Sequence, residues 1–129
     1  MSVALDLMKD DIVNVALDSG KLQDSNSLHY THFSGYSIKK QVVFSAYRDS
    51  DVDCYTNITY DGDYINVGNG LDLASGKFTA PVAGTYAIHF NALSANMPTA
   101  KGNKIRLFHN GIEVGGSFSS CDRRIKVCI

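Results

Sequence analysis

Apolar and polar residues alternate with a period of two along much of this chain. The clearest example is "TYAIHFNA" at residues 85–92, where Tyr86, Ile88 and Phe90 share one side and smaller or polar residues occupy the other. Successive side chains of an extended strand point to opposite faces, so this pattern predicts a strand with one buried face. The chain is therefore expected to be built from short antiparallel strands.

Residues 1–22 allow two interpretations. Within residues 3–7 and within residues 13–17 apolar side chains recur at every second position, which predicts two strands that form a hairpin around Lys9-Asp10-Asp11. Apolar residues also recur at heptad spacing between positions 5 and 22, as in a short coiled-coil stalk. Ser19 would then occupy a core position with Gly20 beside it, so the hairpin is the preferred interpretation.

Further short strands are predicted downstream. "VVFSAYRD", "NITYDG" and "YINVGN" are separated by Gly, Asn and Asp, and "NKIRLFHNGIEVGG" contains a strand interrupted by Asn110-Gly111, a pair typical of tight turns. Nowhere does the pattern favour a helix. Many short strands at this spacing predict an all-β sandwich or jelly roll.

Composition limits the classes of function. The 129 residues suit a single folded domain, with 44% hydrophobic and 19% charged residues. The net charge of −1 argues against nucleic acid or an anionic membrane as the main partner. No apolar run approaches the ~20 residues of a membrane span, and "MSVALDLMKDD" lacks the basic region of a signal peptide, so neither membrane insertion nor a leader is expected. Cys54, Cys121 and Cys128 show no zinc-like spacing and leave the compartment open.

One segment carries a specific resemblance. "GKFTAPVAGTYAIHFNALSA", residues 76–95, is similar to the C1q domain signature G-x-F-x-A-P-x-x-G-x-Y-x-F-x-F, with Ile88 in place of the first phenylalanine of the final pair. The flanking strands agree over residues 42 to about 118. The structural signature positions in the whole chain are Phe33, Gly35, Phe44, Gly76, Phe78, Pro81, Gly84, Tyr86 and Phe90.

The order of the segments differs from that of the family. "SVALDLMKDDIVNVALDSGKLQ" resembles the family's late hairpin and "HFSGYSI" its closing strand, yet both precede "VVFSAYRD", which resembles its first strand. The resemblance implies an all-β, two-sheet antiparallel jelly-roll sandwich (C1q/TNF-like) with late strands at the N-terminus. Residues 1–40 would supply the last strands and residues 41–120 the first strands, together as one domain, and residues 121–129 would form a tail.

Two arrangements would explain this order. In a circular permutant, "SIKKQVV" would join the family's last and first strands in a tight hairpin. Alternatively, the chain is a window cut from a tandem array of such domains, with bare strand edges in each half. The short connection between the two halves favours the permuted single domain.

Few residues suggest site chemistry. Asp49, Asp51 and Asp53 are spaced like the start of a calcium loop, but Cys54 replaces the glycine and Tyr60 the glutamate that an EF-hand requires. An EF-hand is excluded and a solvated acidic loop is preferred. The resemblance still permits a weak calcium site shared at an oligomer axis.

The histidines are expected to be ordinary surface residues. His29 and His32 would face opposite sides of an extended strand, which prevents them from sharing one metal ion, while His89 lies on a polar face and His109 beside a turn. The chain has no nucleophile elbow, phosphate-binding glycine loop or zinc-protease motif. No catalytic residue and no cofactor are therefore predicted.

Two further predictions concern glycosylation and the core. Asn57-Ile58-Thr59 is an N-glycosylation sequon, so Asn57 is a glycosylation site if the chain is secreted. The expected core consists of Phe44, Phe78, Tyr86, Phe90 and Leu107.

The resemblance implies binding rather than catalysis. It suggests a secreted recognition module, usually a homotrimer, that binds carbohydrate, microbial-surface or protein ligands. A cytokine-like or structural trimer that engages a cell-surface receptor, as in the tumour-necrosis-factor group, shares the same architecture. A fragment of a tandem protein without independent function is the third alternative.

Overall fold

The computed structural model describes residues 1–25, 27–53, 56–94 and 103–119. Every regular element within these ranges is a strand, which confirms the predicted all-β class. The strands are β1 (Ser2–Leu7), β2 (Ile12–Ser19), β3 (Lys21–Gln23), β4 (His32–Ser37), β5 (Val43–Tyr47), β6 (Val52–Asp53), β7 (Thr56–Asn57), β8 (Gly62–Val67), β9 (Leu71–Asp72), β10 (Lys77–Thr79), β11 (Gly84–Asn91), β12 (Leu93–Ser94), β13 (Asn103–His109) and β14 (Ile112–Ser119).

The strands form a sandwich of two antiparallel sheets. The five-stranded sheet has the order β1-β11-β4-β5-β8, and the six-stranded sheet has the order β14-β13-β2-β10-β9, with β7 paired to β2. A third, three-stranded sheet has the order β12-β3-β6 and is separate from the two larger sheets. This arrangement confirms the predicted two-sheet, jelly-roll class of fold.

Alternation along the central strands builds the core. Tyr86, Ile88 and Phe90 of β11 are almost completely buried, as the period of two predicts. The Phe44 and Phe78 rings stack with centroids 4.3 Å apart. Leu107 is buried as well, so all five residues of the predicted core lie in the interior.

The N-terminal strands occupy central places in both sheets. β4 lies between β11 and β5, and β2 lies between β13 and β10. Each therefore has hydrogen-bonded neighbours on both sides that come from residues 43–119. Residues 1–37 are an integral part of the described sandwich.

The predicted hairpin at the N-terminus is wrong in its pairing. β1 and β2 are both strands, which also rules out the coiled-coil alternative, but β1 pairs with β11 and β2 with β13 and β10. Residues 8–11 thus connect one sheet to the other. Alternation specifies which face of a strand is buried and contains no information about the partner strand, so the pairing could not be derived from it.

Two predicted turns are present. β4 and β5 pair antiparallel, and the connection over residues 38–42 is closed by a hydrogen bond from Ser37 N to Val42 O of 2.9 Å. β13 and β14 meet at Asn110 (φ 49°) and Gly111 (φ 79°), both in the left-handed region that such a tight turn requires.

Candidate ligand-binding surfaces

The glycine and aromatic positions of the signature support the core. Gly76 has a φ of 70°, and a Cβ at this position would lie 1.8 Å from the Ile58 carbonyl oxygen. Tyr86 is fully buried, and its hydroxyl donates a 2.8 Å hydrogen bond to Val82 O. Phe78 is buried beside it, with ring centroids 5.6 Å apart.

The remaining signature residues have a similar role. Phe33 is fully buried, and the centroids of its ring and of the Phe44 ring are 5.0 Å apart. A Cβ on Gly35 would come within 2.7 Å of the Phe44 ring, so glycine makes room for this pair. Gly84 is the first residue of β11, Pro81 lies three residues before it, and both are half-buried. The aromatic residues of the signature therefore lie in the interior of the sandwich.

The three aspartates of the candidate calcium loop, Asp49, Asp51 and Asp53, do not share one partner. Asp49 Oδ1 lies 2.7 Å from His29 Nε2. The Lys21 ammonium lies 3.5 Å from Asp51 Oδ2 and 3.9 Å from Asp53 Oδ1. In the described part of the chain no group of three His, Cys, Asp or Glu side chains could hold a metal ion. A calcium ion shared between chains stays a prediction.

His29 and His32 belong to an aromatic cluster that the sequence did not predict. The His29 ring stacks on Tyr47 with centroids 4.2 Å apart, and its Nδ1 lies 3.2 Å from the Tyr64 hydroxyl. The expectation of an extended strand through both histidines is wrong, because His29 has a φ of 50° and β4 begins only at His32. His32 Nε2 donates a hydrogen bond to the carbonyl oxygen of His29.

His109 is part of a polar cluster at the end of β13. Its Nε2 lies 2.7 Å from Asp11 Oδ2, and Asn110 Nδ2 donates to Asp11 Oδ1 at 2.9 Å. The hydrogen bond from Asn110, followed by those from His109 and from the Met8 amide, lowers the pKa of Asp11 to about 2. The cluster holds the connection between the sheets in place, so His109 has a structural role.

The sequon lies on the outside of the six-stranded sheet. Asn57 is exposed on β7, and its Oδ1 accepts a 3.1 Å hydrogen bond from Asn14 Nδ2. Thr59 Oγ1 accepts a 3.0 Å hydrogen bond from the Arg48 guanidinium. Cys54, Cys121, Cys128 and the predicted tail at 121–129 lie outside the described residues.

The outer face of the five-stranded sheet carries a row of uncharged residues, which we call the outer row. The register places its five members side by side, one from each strand: Ala4, Ala87, Tyr36, Val43 and Val67. Tyr36 is 47% exposed and Val67 43% exposed. Ile65, which is 39% exposed, lies in the neighbouring row beside Ser45. The outer row and Ile65 together expose apolar surface on this face.

The described part of the chain is an all-β sandwich of jelly-roll architecture, and its five-stranded sheet carries the apolar outer row. The sequence model of the C1q domain matches residues 43–125, more than half of the chain, and the chain therefore belongs to the C1q domain family. No curated protein and no solved structure matches it. C1q domains are non-enzymatic modules that generally oligomerise and bind ligands, and their proteins are generally extracellular. None of the described segments forms a helix long and apolar enough to cross a membrane.

Proposed function

We propose that this chain is a secreted, non-enzymatic recognition module that assembles as a homotrimer and binds carbohydrate, microbial-surface or protein ligands. The single observation that carries the proposal is the C1q domain match over residues 43–125. Two of the histidines take part in contacts that hold loops in place, His29 with Asp49 and His109 with Asp11.

The outer row supports self-association. Soluble monomers rarely expose a contiguous apolar patch without an interaction that uses it. Tyr36, Val43 and Val67 are adjacent in the sheet, and the neighbouring Ile65 extends the patch along β8. Packing this face around a threefold axis would remove the patch from water in all three copies.

We also propose that residues 1–40 and 41–120 form one permuted jelly roll, with residues 121–129 as a tail. The central places of β2 and β4 support this organisation. Without them, β13, β10, β11 and β5 would each lose a hydrogen-bonded neighbour and expose an unpaired edge.

Sedimentation equilibrium combined with denaturant unfolding of the isolated chain tests assembly and organisation together. We expect a discrete trimer that unfolds in a cooperative transition. Polydisperse association without a cooperative transition would contradict the single permuted domain, because two half-domains with open edges would aggregate.

Binding is tested with the trimer on immobilised oligosaccharides and on cell-surface protein preparations. Direct, saturable binding to oligosaccharides in the absence of any receptor is expected for a recognition module. Binding restricted to one cell-surface protein and dependent on the trimer would instead favour a cytokine-like ligand.

A further inference from the structure

The outer face of the six-stranded sheet contains two adjoining cavities. The first, of about 330 Å³, and the second, of about 310 Å³, have Asn57 and Phe108 in common. Both volumes lie near the lower end of the ~300–1,000 Å³ range of small-molecule sites. We call the continuous depression the β2 groove, and its principal lining residues are Asn14, Ala16, Asn57, Lys77, Arg106 and Phe108.

Strand register explains why a depression forms here. Asn14 on β2 lies opposite Lys77 of β10 on one side and opposite Phe108 of β13 on the other. Two residues further along β2, Ala16 lies between Asn57 of β7 and Arg106 of β13. Because Ala16 is small and its neighbours are large, the floor of the groove is low and its two sides are high.

The floor and one wall carry side-chain amides. The hydrogen bond from Asn14 Nδ2 to Asn57 Oδ1 uses one donor and one acceptor of the pair. The Asn57 Nδ2 remains as a donor at the rim, where the residue is exposed. A neutral donor fixed in position by its own hydrogen bond suits hydroxyl and acetamido groups.

The opposite wall offers an apolar surface. Phe108 is half-buried on the outer side of β13, since the preceding Leu107, like Ile105, points into the core. An aromatic ring beside a line of amides matches a pyranose ring, which presents C–H groups on one face and hydroxyl groups around its edge.

The charges of the groove are nearly compensated. Arg106 lies 2.8 Å from Asp18 and 3.8 Å from Glu113. Lys77 has no ion-pair partner among the residues that the structure describes, so its ammonium group is available at one end of the groove. An acidic substituent on a sugar would meet this group.

We infer that the β2 groove binds an oligosaccharide, with one pyranose ring against Phe108 and a carboxylate substituent beside Lys77. This inference rests on the proposed recognition function and assigns it a site. The groove is on the sheet opposite to the outer row, so trimer assembly through the outer row leaves it accessible.

The sequon makes the groove sensitive to modification. A glycan on Asn57 would be attached to the amide nitrogen that is available for the ligand, and its first sugar would fill the groove. Protein made in bacteria, which leave this sequon unmodified, is therefore the form to assay first. The form glycosylated at Asn57 is expected to bind immobilised sugars more weakly.

The test measures binding of the full chain to an array of neutral and carboxylated oligosaccharides. We expect Phe108→Ala and Asn57→Ala each to weaken binding roughly tenfold or more, the former because it removes the apolar contact. Lys77→Gln should abolish any preference for carboxylated sugars and leave neutral ones unaffected. Tyr30→Ala, which removes a partly exposed aromatic ring from the loop before β4, is the matched control and should bind like the unmodified chain.

Each result has a defined meaning. If the unmodified trimer binds sugars and both Phe108→Ala and Asn57→Ala bind equally well, the groove is not the site, although the recognition function stands. If the trimer binds protein ligands and no sugar, the inference falls and the protein-binding form of the function remains. Because Asn57 is exposed, its variant keeps the test valid even if Phe108→Ala lowers stability.

Discussion

Asp11 and His109 are 98 positions apart in the chain, yet the carboxylate Oδ2 of the first lies 2.7 Å from Nε2 of the second. Asn110 strengthens the contact, since its Nδ2 donates to Asp11 Oδ1 and its Oδ1 accepts from the Ile12 amide at 2.7 Å. The connection between β1 and β2 is thereby fixed to the turn between β13 and β14. The cluster extends the pairing of β2 and β13, in which His109 lies opposite Val13, into the connection between the two sheets.

The polar cluster of Asp11, His109 and Asn110 predicts that the stability of the fold depends on pH in the acid range. The pKa of Asp11 falls from an ordinary 3.8 to about 2 in the folded state, so the carboxylate stabilises the fold fully above about pH 4. This contribution is lost as the pH falls through 2. We expect Asp11→Asn to lower the urea midpoint at pH 7, and the difference from the unmodified chain to shrink between pH 4 and pH 2.

Asp10→Asn is the matched control for this measurement. Asp10 is adjacent, and its ion pair with Lys9, at 3.3 Å, joins two strongly exposed side chains. Its φ of 72° also suits asparagine. An equal effect of the two substitutions, or a difference for Asp11 that is independent of pH, would contradict the role assigned to the cluster.

Removal of a central aromatic ring should destabilise the sandwich strongly. Phe90 is 3% exposed, and Phe90→Ala is expected to cost about 3–5 kcal/mol because it leaves a cavity between the sheets. Thermal unfolding measures the loss, with Tyr64→Ala, at a tyrosine that is 60% exposed, as the control. An unchanged melting temperature for Phe90→Ala would disprove its place in the core.

Alanine substitutions at Gly76 and Gly111 distinguish the cost of steric crowding from the cost of backbone strain. Both have positive φ, but a Cβ on Gly76 would collide with Ile58 O at 1.8 Å, whereas nothing lies within 4 Å of a Cβ on Gly111. We expect Gly111→Ala to cost about 1 kcal/mol and Gly76→Ala about 3 kcal/mol or more, measured by urea unfolding. Similar costs at the two positions would show that the carbonyl of Ile58 moves freely.

A charge in the apolar patch should prevent self-association. Ile65→Lys or Val67→Lys would place an ammonium group in the proposed interface, where its desolvation is unfavourable. Sedimentation equilibrium should then give the monomer mass. Met8→Lys, at a residue that is 69% exposed in the connection between the sheets, should leave the trimer intact. A trimer that persists in all three variants would place the interface elsewhere.

Cleavage of the β4–β5 connection tests the proposed single domain. Lys39 and Lys40 are exposed, so a site-specific protease sequence can be inserted between them. After cleavage the two fragments should elute together from a sizing column and unfold in one transition, because β4 stays hydrogen-bonded to both β11 and β5. Separate elution without denaturant would contradict the arrangement.

The sequence predicts the strands and the core better than it predicts the surfaces. The alternation with a period of two predicts the buried positions of β11, and the signature predicts the burial of Phe78. Both predictions succeed because they depend only on the spacing of residues that are close in the chain. The partners of β1 and β2 are not encoded in this way. The groove was missed for the same reason, because Asn14, Asn57 and Phe108 become neighbours only through the register of three strands. Outward-facing asparagines on predicted strands were the one signal that could have indicated it.

The central positions of β2 and β4 in the two sheets affect how the chain folds during its synthesis. β2 precedes all of its sheet partners in the chain, and the longest of them, β13, follows about 90 residues later, a wait of roughly 5–20 s at usual rates of synthesis. Until β10 has been made, β2 has neither of the strands that flank it in the sheet. The segment that contains β2 is thus open to premature association until then, and the six-stranded sheet can be completed only after β13 and β14 have been synthesised.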